Sequence, residues 1–134
     1  MKKIILVFTL TLIGISAFTQ NAPIAKTNTQ GIANLKVPDF KDARAKAYYN
    51  WYKNYVQKYL QAIQQNDKAA IKSIFEEGIS KTSEALAVMQ QVQKNEGEYK
   101  KMQEYGKQFA PAMREISKSA YVQQLTNEYM KNHK

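Results

Sequence analysis

Cysteine is absent from the 134 residues. No disulfide, thiolate nucleophile, lipid-modified cysteine or covalently attached c-type haem can therefore be built. Histidine is almost as scarce, with His133 the sole example, at a position where chains usually fray. Without a second histidine, a cysteine or a Glu-x-x-His pair, zinc sites, the di-iron site of helical bundles and nucleophilic triads all lack parts. Glycine and proline are few, at 5 and 3, and no glycine-rich phosphate loop occurs. Nothing in the patterning argues for a sheet.

Long apolar runs are also missing, save one near the start. Ile4 to Ile15 is interrupted only by Thr9, Thr11 and Gly14, follows Lys2 and Lys3, and leads into Ser16 and Ala17. Basic, apolar and small residues in that order are the three parts of an export signal, and the apolar part is shorter than the roughly 20 residues of a spanning helix. Residues 1–19 are therefore expected to be a cleaved signal peptide, cut after Ala17 or after Thr19, with no transmembrane anchor left behind. The destination implied is periplasmic or secreted.

What remains is basic. Formal charge is +9; removing Lys2 and Lys3 reduces 20 basic residues to 18 against 11 acidic, or +7. A field of that sign attracts anionic partners without specifying a fold. Residues 20–37 show neither a 2-residue nor a 3.6-residue period and read as a flexible linker.

Helical periodicity begins at residue 38, and residues 38–134 are expected to form one helical domain. Pro38 and Asp39 resemble a helix start, with Asp39 as the cap. Over the next ~27 residues Ala45, Tyr48, Tyr49, Tyr52, Tyr55, Val56, Tyr59, Leu60 and Ile63 share an arc of about 140 degrees, the width of a core-facing stripe. Asn66 suits a left-handed helix end and Asp67 a following cap. A second helix, 68–94, carries Ile71, Ile74, Phe75, Gly78, Thr82, Ala85, Leu86, Met89 and Val92 on one face. The third, from about Glu98, keeps Tyr99, Met102, Tyr105, Gly106, Phe109, Met113, Ile116 and Ala120 in phase across Pro111, as one kinked helix would. Val122, Leu125 and Tyr129 then fall out of phase, predicting a bend near Ser117 to Ser119 and a short terminal helix. The fold class is all-α: an antiparallel three-helix bundle, with the terminal segment as a partial fourth helix.

The first helix has the most distinctive composition. Seven aromatics lie between Phe40 and Tyr59, and no acid between Ala43 and Asn66. Phe40 and Trp51 lie off the main stripe, near Ala47, Lys58 and Ala62. They either widen the buried face or form a small exposed patch, and an exposed Trp51 beside Lys58 could stack on a sugar, a base or a lipid interface. Phe40, Arg44, Trp51 and Lys58 are thus the candidate binding surface. Glu76, Glu77, Glu84, Glu104 and Glu115 read as charges on solvated faces.

No catalytic residue, metal ligand or cofactor is expected. Met89, Met102, Met113, Met130 and His133 are the ligand types of a non-covalent haem, but core methionines more often fill gaps. The sequence reading is an exported, non-enzymatic binding or interaction protein of the bacterial cell envelope. Its expected partner is an envelope protein or an anionic polymer or lipid surface, and not nucleic acid. A periplasmic holdase-type chaperone is the alternative, and a carrier of haem or another cofactor the third reading.

Overall fold

The longest helix starts three residues later than its sequence signal. Asp42, in extended conformation, accepts hydrogen bonds from the amides of Arg44 at 2.8 Å and Ala45 at 3.0 Å, so it caps the helix in place of Asp39. The physical reason is Phe40. Its amide closes a tight turn onto the Pro38 carbonyl at 2.9 Å, and its ring stacks on Tyr49 at 5.3 Å and is buried. The chain has to stay non-helical until that ring is seated.

The computed structural model describes residues 29–133. The expected leader and the first part of the expected linker, 20–28, lie outside the described residues. Seven helices and no strand occur among the described residues: α1 (Thr29–Ala33), α2 (Ala43–Gln64), α3 (Lys68–Ser80), α4 (Thr82–Gln93), α5 (Glu96–Lys107), α6 (Ala110–Ser117) and α7 (Ala120–Asn132). No helix among them is long and apolar enough to cross a membrane. The fold is all-helical.

Helix α2 is the hub, packing against α1, α3, α4 and α6. It buries Ala45, Tyr48, Tyr52, Tyr55, Val56, Tyr59, Leu60 and Ala62. Its end is a Schellman closure: Asp67 donates to the Ala62 carbonyl at 2.9 Å, Asn66 donates to Ile63 at 3.0 Å, and Asn66 takes the left-handed φ of 54°. Asp67 then caps α3 by accepting from the Ala70 amide at 3.1 Å. Two polar residues thus end one helix and begin the next, as their types predict.

Residues 29–37, expected as part of the linker, are packed against this hub. Ile32 is buried, Leu35 and Val37 pack on the core, and Lys53 donates to the Leu35 carbonyl at 3.2 Å. Three isolated apolar side chains have no period of their own; the groove beside α2 supplies the contact.

The expected second helix is two. At Lys81 the backbone leaves helical geometry (φ −93°, ψ 1°), its amide bonding back to Gly78 at 3.2 Å while the Thr82 hydroxyl donates to the Ile79 carbonyl at 2.8 Å. Hydroxyl back-bonding of this kind bends helices. The break also shifts the phase. Beyond it α4 buries Val88 and Val92, while Leu86 and Met89, placed on the core stripe by periodicity, are only half-buried.

The expected third helix also divides, at Gln108 and Phe109. Pro111 falls in the first turn of α6, where its missing N–H interrupts no ladder bond. Phe109 fills the core at 0% exposure. The predicted bend near Ser117 to Ser119 is present, with Ser119 capping α7 by accepting from the Val122 amide at 3.3 Å. The out-of-phase segment docks on its own chain: α7 lies against α3 and α6, buries Val122 and Leu125, and sets Tyr129 edge-on to Phe75 at 6.5 Å.

Candidate functional site

The ring-rich first half of α2 is where charge and aromatic character coincide, and the structure separates them. Toward α5 and α6 this half of the helix sets rings against rings. Tyr49 meets Tyr105 edge-on at 5.9 Å, Tyr52 meets Phe109 at 5.1 Å, and Tyr105 meets Phe109 at 4.9 Å. Edge-to-face packing of this sort contributes beyond the area it buries. Burial pushes the Tyr105 hydroxyl up to about 12 and holds Tyr48, Tyr49, Tyr52, Tyr55 and Tyr59 well above the ordinary tyrosine value. All are neutral in ordinary solution.

Toward α3 and α4 the same helix presents a mixed cluster. Trp51 stacks on Tyr55 at 4.7 Å and donates its indole N–H to Glu77 Oε2 at 2.7 Å. Lys58 donates to Glu77 Oε1 at 3.1 Å, so both oxygens of that carboxylate are held by α2. Lys81, at the break between α3 and α4, sets its ammonium 5.3 Å from the Trp51 ring centre and donates to Glu84 at 3.2 Å. Cation, ring and carboxylates therefore satisfy one another.

The four residues singled out from the sequence do not form one patch. Phe40 is buried against Tyr49, Arg44 is exposed at the start of α2, and Trp51 and Lys58 converge on Glu77. Trp51 is half-buried, so it and Phe40 widen the covered face of α2. Glu77, expected on a solvated face, is the residue that joins them. No sequence signal points to Glu77, because its partners lie 26 and 19 residues away on another helix.

A second carboxylate also finds a distant partner. Asn95 caps α5 by accepting from the Glu98 amide at 3.1 Å. The Glu98 carboxylate goes elsewhere. It accepts from the Lys41 amide at 2.6 Å and pairs with Lys101 at 3.1 Å, while Lys101 also donates to the Asp39 carbonyl at 3.1 Å. The Lys41 amide and the Lys101 ammonium hold the Glu98 carboxyl below its usual range. This knot fastens the start of α5 to the start of α2.

At that shared end Glu96 is exposed and takes no ion pair among the described residues, and the other three acids are engaged. Asp42 caps α2, Glu98 is held as described, and Asp39 pairs with Lys46 at 3.6 Å. Lys41, Arg44, Lys94 and Lys100 are exposed there and take no ion pair among the described residues. The result is a positively charged end on the helical body.

For chemistry the parts are few. His133 closes α7 by stacking on Tyr129 at 4.0 Å, with its Nδ1 2.9 Å from the Tyr129 carbonyl. Among the described residues no group of three or more acidic or histidine side chains could hold a metal ion. No family model, no curated protein and no solved structure matches the chain.

Proposed function

We propose that this chain is an exported, non-enzymatic binding module of the bacterial cell envelope, periplasmic or secreted, which holds an anionic polymer, lipid surface or acidic envelope protein through the positively charged end where α2 and α5 begin. The observation that carries the reading is the four exposed cations Lys41, Arg44, Lys94 and Lys100 at an end where Asp39, Asp42 and Glu98 serve as caps and ties and Glu96 is the one acid left unpaired among the described residues. Such a surface has a net positive potential that steers anions toward it. The basic, apolar and small order of residues 1–19 supports the address. In architecture we read α2, the α3–α4 pair and the α5–α6 pair as three antiparallel arms, each of the last two broken once, with α7 as a short fourth; the links between arms, three residues after α2 and two after α4, support that reading.

Arg44 is the member of the sequence-derived surface that carries over, whereas Trp51 and Lys58 serve the body of the fold. The chaperone alternative needs shallow apolar surface, and Met130, at 47%, is the one exposed large hydrophobic among the described residues. The surface therefore favours the charge-based reading.

The test has two arms. Fractionating cells that express the full chain is expected to recover it clipped and outside the cytoplasm; full-length protein inside would remove the address. Incubating the protein with vesicles containing phosphatidylglycerol, and with envelope extract, is expected to give retention at low salt that is lost at high salt and in the Lys41→Glu/Arg44→Glu variant. Retention of nothing at either salt sinks the binding role.

A further inference from the structure

The hydroxyls of Tyr52, Tyr55 and Tyr105 have no hydrogen-bond partner among the described residues, although these residues are only 6%, 2% and 1% exposed. A hydroxyl withdrawn from water with nothing to bond weakens folding by roughly five- to a hundredfold. Folded chains seldom tolerate that three times in one core, because buried polar atoms are almost always bonded to protein or to ordered water.

These three are neighbours. Tyr52 and Tyr105 both pack edge-on to Phe109, and the Tyr52 and Tyr55 rings are 6.5 Å apart. They form a chain with Tyr52 in the middle.

Their level in the fold is distinctive. The α3–α4 break at Lys81 faces Trp51, and the α5–α6 break at Phe109 faces Tyr52, so both interruptions fall beside adjacent residues of α2. The regular interlocking of helix ridges is interrupted there on both sides of α2. Val56, Leu60 and Ala112, by contrast, are wholly buried aliphatic positions.

We propose that the Tyr52, Tyr55 and Tyr105 hydroxyls line one internal polar site, at the level of the two helix breaks, which binds water. The chemistry selects a neutral occupant. Protonated phenols offer both donor and acceptor, which suits a small neutral molecule that does the same. An internal water makes about three hydrogen bonds, and three hydroxyls can supply them.

The test is carried out on the full chain with Tyr52→Phe, Tyr55→Phe and Tyr105→Phe. Urea unfolding is expected to show the folding equilibrium constant falling roughly three- to tenfold for each, most for Tyr52→Phe. Tyr52→Phe/Tyr105→Phe should lose less than the product of its two singles, because the shared water is already gone after the first. Nuclear magnetic resonance should show cross-peaks from long-lived water to these rings in the parent. Variants as stable as the parent or more so, singles that multiply independently, or an absence of water cross-peaks would each overturn the proposal.

Discussion

Helix α2 shows two different ways of holding a neighbour. Toward α5 and α6 it uses neutral rings: Tyr49 and Tyr52 against Tyr105 and Phe109. Toward α3 and α4 it uses a ring held among charges, with Trp51 and Lys58 both bonded to Glu77 and Lys81 lying over the indole. The first contact depends on excluding water and keeping phenols protonated. The second sits at the edge, where Lys58 and Glu77 side chains are 52% and 33% exposed, so solvent screens it. Most of the stability should reside on the ring side and most of the salt sensitivity on the other.

Alkali should break the ring side most severely. A tyrosine whose folded pKa is raised stabilises the fold below the unfolded value near 10, and that contribution is lost as pH climbs toward the folded value. Each buried tyrosine therefore removes ~1.4 kcal/mol per pH unit once pH exceeds about 10. Tyr48, Tyr49, Tyr52, Tyr55, Tyr59 and Tyr105 act together, so a steep cooperative unfolding between about pH 10 and 12 is expected. Absorbance at ~295 nm and far-ultraviolet ellipticity should change at the same pH. Independent phenol titration with ellipticity unchanged would show that the rings are not what binds the helices.

Phe109→Ala tests the same side at one residue. Phe109 is wholly buried between Tyr52 and Tyr105, and its truncation should cost about 3–5 kcal/mol in urea unfolding. A loss under about 1 kcal/mol would mean that the core refills the space.

Glu98→Gln should have a smaller effect, confined to acid. The folded carboxyl is held below its ordinary range, so its contribution is present above the unfolded pKa and lost as pH falls through the folded one. The variant should be less stable than the parent near neutrality, with the gap closing in acid. A gap that persists there would assign the effect to shape instead of charge.

Lys58→Ala sharpens the edge side and should matter least, by less than about 1 kcal/mol and less still at high salt. Its clearest readout is Trp51 fluorescence. Losing one of two donors to Glu77 changes the field at the indole, whereas a variant on the ring side leaves Glu77 with both.

Different residues were readable to different depths. The Asn66 and Asp67 link could be read directly, since a left-handed φ and a cap are local properties of those side chains. So could the stripe of α2, where Tyr48, Tyr52, Tyr55, Val56, Tyr59 and Leu60 all enter the core. Lys81 could not. Gly78, Ser80, Thr82 and Ser83 around it weaken a helix without fixing where it breaks, and the Thr82 back-bond and the pull of Trp51 and Glu84 set the interruption there. Arg44 was identified for its charge and sits at the exposed end, whereas Phe40 was identified for its ring and is buried.

By itself the amino-acid order determined that the described residues are helical, where α2 ends, which side of it is oily, and that no cysteine chemistry can operate. Those properties follow from periodicity, capping and composition, which act over a few residues. Tertiary structure alone decided that residues 29–37 pack down, that α7 docks on its own chain, that the Glu77 carboxylate is held by α2 and the Glu98 carboxylate by the Lys41 amide, and that both helix breaks meet beside Trp51 and Tyr52. Each of these depends on a partner tens of residues away, and a short window of sequence holds no record of which distant side chain will supply the missing contact.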